Sequence, residues 1–429
     1  MRLSIKNLGK IETADIEINA ITIIAGENNT GKSTVGKTLF CIFNSFYKID
    51  EQIEADRLST ISNAIAHLDG SGWLRSFGIK HGVNTDELAK FIITNKTKYI
   101  NDRILLQQDI GYFIMQNYQS FDKRIEKANL EKVAKDIINI LNTSDDEILV
   151  SILRNKMKVE FNMQVNNLYH KERESEVTLK IKENKIEIRV KDNEDIKIFG
   201  YQSLNTEVLY IDDPYAMDNT RYSIWRPYES FFTHREHLSA RLGEIKNTLS
   251  VKEALHEIIT SKKLNMVFEK LNTVCPGKIV RKSNDSCAYM ENGASPMIDI
   301  VNVSTGLKTF AIIKTLLLNG CLEENGTLIL DEPEIHLHPE WQLIFAELIV
   351  LIQKEFNMHI LINTHSPYFV DAIEVYSQMH GIASKCKFYL AENTGAMSAI
   401  TDVSENIERI YKKFARPLQN LENERYSDD

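Results

Sequence analysis

No stretch of the chain approaches the roughly 18 consecutive apolar residues that a membrane-spanning helix needs. A signal peptide is not expected either, because the opening residues MRLSIKNLGK go straight into an alternating strand pattern, and the cytoplasm is the expected location. The five cysteines, Cys41, Cys275, Cys287, Cys321 and Cys386, form no C-x-x-C pair, which argues against a zinc site or a disulfide framework and fits a reducing compartment. Internal repeats, low-complexity tracts and heptad arrays long enough for an extended coiled coil are also missing. The formal charge of −9 gives no global attraction to nucleic acid, so any DNA or RNA contact would need a local basic patch.

What is present is ordinary in composition: 43% hydrophobic and 26% charged residues over 429 positions, longer than one average domain. Leu3 and Ile5, then Ile16 and Ile18, alternate with polar residues as two short antiparallel strands. Ile21-Thr22-Ile23-Ile24 is apolar on both faces, as a central parallel strand is, and leads through a Gly-rich turn into a helix from Lys32 to Tyr47. From Asp50 to Leu141 the pattern is amphipathic helix, clearest at Leu130, Val133, Ala134, Ile137, Ile138 and Leu141. Alternation at Val159, Phe161, Met163 and Val165, then at Val177 to Ile181 and Ile186 to Val190, predicts an antiparallel meander. A strand at Val208 to Ile211 precedes a helical region between Ser230 and Leu271. From Ser304 on, helices alternate with strands at Thr327 to Leu330 and His359 to Ile362, followed by two expected edge strands near Phe388 and Ala399. A closing helix with Ile407, Ile410, Tyr411 and Phe414 on one face is expected to end at Pro417. The predicted class is α/β, a largely parallel sheet core with an antiparallel β subdomain and a helical insertion. Its parts are a core N-lobe (1–49), helical insertion (50–145), β subdomain (146–211), helical lobe with connecting strands (212–300) and core C-lobe (301–429).

Gly26-Glu27-Asn28-Asn29-Thr30-Gly31-Lys32-Ser33 fits G-x-x-x-x-G-K-[ST] between the strand and helix that this phosphate loop requires. Glycines allow positive φ and close backbone approach, so successive N–H groups can point at a phosphate, and the helix N-terminus adds partial positive charge. Gly26, Asn28, Asn29, Thr30, Gly31, Lys32, Ser33 and Thr34 are the expected ATP-binding residues. Lys32 would lie between the β- and γ-phosphates, and Ser33 would ligate Mg²⁺.

Thr327-Leu328-Ile329-Leu330-Asp331-Glu332 is an apolar strand ending in two carboxylates. Asp331 is expected to hold Mg²⁺ through the ion's water shell and Glu332 to orient or deprotonate the attacking water. Ser304-Thr305-Gly306-Leu307-Lys308 opens a helix, where a Ser can serve merely as an N-cap. His365, after the strand Met358 to Ile362, sits where a γ-phosphate contact is expected. Asp212 or Asp213, at the end of the strand Val208 to Ile211, stands as a further candidate metal ligand. His336 and His338 offer two metal-type ligands without a third. His234-Arg235-Glu236-His237 lacks the spacing of a helical zinc site and predicts a solvated helix start.

GENNTGKST, VSTGLKTF, LILDEPEIHLHPEWQ and LINTHSPYFV together resemble the ABC-type ATPases of the OLD, Septu PtuA and related defence groups. The resemblance covers the first tens of residues and 300–373, not the insertion. It implies a P-loop NTPase core in which Ser304 and Gly306, with Lys308 beside them, face the γ-phosphate bound to a second copy, so that a head-to-tail homodimer around MgATP is active. Higher oligomers are compatible with it. Only about sixty residues follow His365, against roughly 100 for a small domain, so no Toprim nuclease is expected here. The expected output therefore lies in a separate effector, a nuclease such as an HNH protein, in antiviral defence. A DNA-binding repair or chromosome-associated ATPase is the alternative, and a transporter subunit a third reading.

Overall fold

The computed structural model describes residues 1–66, 85–117, 127–219, 233–243, 264–282, 286–291 and 296–426. Two compact units divide the chain, one of Met1–Tyr47 with Leu153–Asp429 and the other of Lys48–Ile152.

The first unit is built on an eleven-stranded sheet. Its strands are β1 (Arg2–Leu8), β2 (Ile11–Glu17), β3 (Ile21–Gly26), β4 (Ser175–Ile181), β5 (Asn184–Lys191), β6 (Asp195–Phe199), β7 (Val208–Ile211), and, beyond a small separate sheet of β8 (Lys278–Arg281), β9 (Cys287–Met290) and β10 (Ile298–Asp299), β11 (Thr327–Asp331), β12 (His359–Thr364), β13 (Lys387–Thr394) and β14 (Met397–Asp402). The order is β6-β5-β4-β1-β2-β14-β13-β3-β12-β11-β7. The strands β13, β3, β12, β11 and β7 run parallel. They are apolar on both faces where they are central, and β3 and β11 are buried at every position. The whole sheet is mixed: the antiparallel block β6-β5-β4-β1-β2 is bonded to this parallel core through β14 and β13.

Three local expectations are corrected. The strands near Phe388 and Ala399 are interior: β13 pairs with β3 and β14 with β2. Their polar alternation reads as a sheet edge, and only the long-range pairing to the first strands reveals otherwise. Val159 to Val165 is not a strand; helix α7 (Asp145–Glu160) runs through its start, and Asn162 and Met163 then take positive φ of 47° and 66°. Buried Leu149, Leu153 and Met157 supply a helical repeat that outweighs a short alternation. Pro417 lies inside the last helix, Glu408–Tyr426, in a stretch exposed enough for water to satisfy the backbone group it leaves unpaired. Parts of the helical region expected between Ser230 and Leu271 lie outside the described residues, as do parts of the insertion.

The second unit packs α2 (Ile49–Ala66), α3 (Thr85–Thr94), α4 (Lys96–Asn101), α5 (Arg103–Asn117), α6 (Lys127–Asn142) and the start of α7. Its core gathers Ile61, Ile92, Tyr99, Leu106, Ile110 and the α6 stripe Val133, Ala134, Ile137 and Leu141. The Tyr99 hydroxyl donates to Asp109 at 2.7 Å, so the ring is buried without an orphaned polar atom.

Candidate functional site

Strand register assembles the site. Thr364 pairs with Ala25 and Asp331 with Asn363, so β3, β12 and β11 end side by side at their C-terminal edges. In open parallel sheets that edge is where ligands bind. The residues just beyond it are the phosphate loop, His365 and Glu332.

The loop between β3 and the helix α1 (Lys32–Phe46) is shaped by its glycines. A Cβ on Gly26 would lie 2.4 Å from the Ala391 carbonyl oxygen, so no other residue fits there. Gly31 has φ 82°, and a Cβ there would also meet Ile11 at 2.8 Å. Asn29 takes φ 60°, its carbonyl accepting from Lys10 at 2.7 Å, and Thr30 donates to the Glu27 carbonyl at 2.8 Å. Asn28 and Ser33 are exposed, and Thr34 is half-buried. Lys32 is buried and curls into its own loop, donating to the carbonyls of Gly26 at 2.9 Å and Glu27 at 2.8 Å. Burial lowers its pKa, against the opposing pull of Glu332 and Asp331.

Asp331 is held on both oxygens, by the Tyr210 hydroxyl at 2.8 Å and the Asn363 side-chain amide at 3.0 Å. Glu332 takes φ 51°, a conformation that costs a non-glycine residue roughly 1–3 kcal/mol. Its N–H donates to the Asn363 carbonyl at 2.8 Å, and the turn carries its carboxylate to 3.9 Å from Lys32 Nζ and 3.4 Å from His365 Nδ1. Glu334 is buried and accepts from the Thr364 hydroxyl and, at 3.0 Å, from the His365 N–H. Burial pushes its carboxyl pKa up.

Lys32, Asp331, Glu332 and His365 are thus brought together. No hydrogen bond or ion pair joins Ser304 or Gly306 to them among the described residues. Ser304 occupies the N-cap position of the helix Thr305–Leu318, yet its exposed hydroxyl makes no cap hydrogen bond. Gly306 packs where a Cβ would be 3.0 Å from the His336 carbonyl oxygen and 3.2 Å from Trp341. Lys308 is buried, donates to Asp218 at 2.6 Å and sits over the Tyr215 ring.

Asp212 and Asp213 line one cavity of about 40 Å³ with Asp331 and Glu332. Asp212 is nevertheless engaged by Arg235 at 2.7 Å and His234 at 3.0 Å, and Asp213 accepts from the Tyr215 N–H at 2.8 Å. His338 caps the helix Pro339–Phe356 through the Glu340 N–H, which gives half of the H-x-H pair a structural use. The expectation of a solvated start at His234 to His237 is overturned, since both histidines are buried. His234 Nδ1 lies 2.6 Å from Glu160, and His237 Nε2 2.7 Å from Glu207. Tyr210, Asn363, Glu334 and His234 are the site residues that sequence reasoning missed. Tyr210 and Asn363 are polar residues in apolar strands, His234 opens a helix and Glu334 lies in the turn after β11, and a buried polar side chain needs a partner.

Burial opposes a charged His234, but the hydrogen bonds and charges of Asp212 and Glu160 outweigh it and push the pKa up from 6.5 to about 9. A folded pKa above the unfolded one gives stability that is full below about pH 6.5 and lost as pH rises through about 9. Wild type should therefore lose more melting temperature between about pH 7 and about pH 10 than His234→Gln does. Equal losses in differential scanning fluorimetry would show that the ring is not charged.

The model of the AAA ATPase domain family matches residues 1–370. The chain is similar to the Retron Vc95 probable ATPase of Vibrio cholerae serotype O1 biovar El Tor, 27% identical over 151 residues, 32% of this chain and 28% of that one. It is similar to the Retron Ec83 probable ATPase of Escherichia coli, 26% identical over 214 residues, 44% of this chain and 37% of that one. A 49-residue stretch, 11% of this chain and 9% of the relative, is 41% identical to the OLD nuclease of Thermus scotoductus. The matched stretches are therefore well under half of each relative's own length. Among solved structures, an Smc head bound to the C-winged helix domain of ScpA aligns over 95% of this chain and 98% of that one, with a TM-score of 0.44 and 11% identity. No helix among the described residues is long and apolar enough to cross a membrane.

Proposed function

This chain belongs to the AAA ATPase domain family, and from that premise we propose that it binds and hydrolyses MgATP at a site completed by a second copy, and that the resulting closure controls a separate effector. The observation that carries the reading is the meeting of three groups from adjacent strand ends: Glu332 lies 3.9 Å from Lys32 and 3.4 Å from His365. A phosphate-binding cation, a carboxylate and an imidazole at one point suit phosphoryl transfer to water, which needs positioning and charge stabilisation rather than covalent chemistry.

Lys32 would exchange its two carbonyl partners for phosphate oxygens. Glu332 would take the proton of the attacking water, and His365 would contact the γ-phosphate, its backbone fixed by Glu334. The donor set fits Mg²⁺: an exposed Ser33 hydroxyl in the first turn of α1 and the Asp331 carboxylate, each of whose oxygens keeps a lone pair beyond its one hydrogen bond. Ser33 and Asp331 would hold the ion, which when bound supplies charge neutralisation on the phosphates.

An exposed serine that does not cap its own helix supports a trans role for Ser304, with Gly306 keeping the loop low against His336. Ser304→Arg should leave nucleotide binding by the monomer within a few-fold of wild type and prevent ATP-dependent dimerisation, read by fluorescent-nucleotide titration and light scattering. An ATP-dependent dimer of normal stability in that variant would end the shared-site reading.

For the effector, the support is similarity in name and sequence to retron ATPases and to an OLD nuclease, together with the defence-type motifs. A nuclease supplied by another chain, such as an HNH protein, in anti-phage defence is the partner proposed. DNA cleavage by this chain purified alone would overturn that part.

A further inference from the structure

Asp331 is fixed by a residue that belongs to none of the motifs. Tyr210, on β7, is fully buried, and its hydroxyl donates to Asp331 Oδ2 at 2.8 Å. Three features place it there. Strand β7 runs parallel to β11 in a register that sets Tyr210 beside Ile329, two residues before Asp331. The ring stacks on His234 with centroids 4.2 Å apart and an interplanar angle of 23°, and His234 is clamped between Glu160 at 2.6 Å and Asp212 at 3.0 Å. On the remaining side lies Gly36, inside the phosphate-loop helix α1. A Cβ at Gly36 would stand 3.1 Å from the Tyr210 hydroxyl oxygen, 3.2 Å from its Cζ and 3.1 Å from Ile329 Cγ2. Glycine is a poor residue for a helix interior, and this one opens the gap through which the hydroxyl reaches the carboxylate.

We infer that Tyr210 is a positioning residue for Asp331, orienting its carboxylate for a divalent cation, and that Gly36 is there to admit it. The inference rests on the reading of Asp331 as a Mg²⁺ ligand. A carboxylate with one oxygen fixed by Asn363 at 3.0 Å and the other by Tyr210 cannot rotate, so the lone pairs left over keep a set direction. Partners behind a metal ligand act in this way, and their loss commonly lowers metal affinity about 10–100-fold. A tyrosine serving only the core would satisfy its hydroxyl equally well but would leave metal dependence alone.

Tyr210→Phe removes one oxygen and keeps the stacked ring. Wild type, Tyr210→Phe, Gly36→Ala and Asp331→Asn are titrated with Mg²⁺ in the presence of a fluorescent ATP analogue, with EDTA as the metal-free reference. Tyr210→Phe should bind the analogue in EDTA within about twofold of wild type while its half-saturating Mg²⁺ concentration rises about tenfold or more. Gly36→Ala, which crowds the same hydroxyl, should shift in the same direction by less. If Asp331→Asn shifts Mg²⁺ dependence and Tyr210→Phe changes only the melting temperature, Tyr210 is a core residue and the inference is wrong. If Asp331→Asn leaves Mg²⁺ dependence unchanged, the metal reading of Asp331 fails, and the inference with it.

Discussion

Glu332→Gln should bind ATP with near wild-type affinity, hydrolyse it at least about 100-fold more slowly, and accumulate as an ATP-bound dimer. The carboxylate stands between Lys32 and His365, 3.9 Å from one and 3.4 Å from the other, so the amide keeps the size and much of the polarity of the group while losing its basicity. General-base removal costs on the order of 10²–10⁴ in rate. Single-turnover hydrolysis by the purified variant checks this, and a normal rate would assign the base elsewhere. The backbone adds a second reading. Because Glu332 holds φ 51°, Glu332→Gly should be equally inactive yet melt no lower than Glu332→Gln, since glycine occupies that region without strain. Strain retained at this position serves the site and not the fold.

The site was legible wherever its chemistry is local in the chain. Gly26 to Thr34, the pair Asp331 and Glu332, and His365 each sit at the end of an apolar strand, and local pattern is enough to find a strand and the turn that leaves it. Illegible were the residues whose meaning depends on a distant partner. Tyr210 reads as one more apolar strand residue until Asp331, 121 positions away, is placed beside it. Glu334, in the turn after β11, meets Thr364, at the end of β12, 30 positions away. His234 and His237 look like a polar helix start, because nothing nearby in sequence shows that Glu160 and Glu207 will enclose them. Lys308 depends on a distant partner too: it stands beside the Ser304 motif in sequence, yet it donates to Asp218, 90 positions away. The same asymmetry holds for the sheet. Parallel strands buried on both faces declare themselves, but the interior position of β13 and β14 depends on pairing with the first strands of the chain.

Lys32→Ala should lower ATP affinity at least about 100-fold and leave the melting temperature no lower than wild type. The loss of affinity comes from charge: hydrogen bonds to a charged group contribute about 1.5–3 kcal/mol each, and a lysine bridging two phosphates makes more than one. The unchanged stability comes from the state of Lys32 when no phosphate is bound. Its side chain is 4% exposed, and among the described residues its ammonium donates to the carbonyls of Gly26 and Glu27, with Glu332 at 3.9 Å. Burial is the largest influence on its pKa and lowers it, so the folded state holds the charged form less readily than water does. A charge that folding disfavours does not stabilise the fold, and deleting it relieves that penalty; the carbonyl of Glu27, an exposed residue, then turns to water. Affinity and stability should therefore separate in this variant, measured by fluorescent-nucleotide titration and by scanning fluorimetry in the absence of nucleotide. A parallel loss of both would mean that Lys32 is a structural strut of the loop, and would remove the phosphate-binding role from the centre of the proposed function.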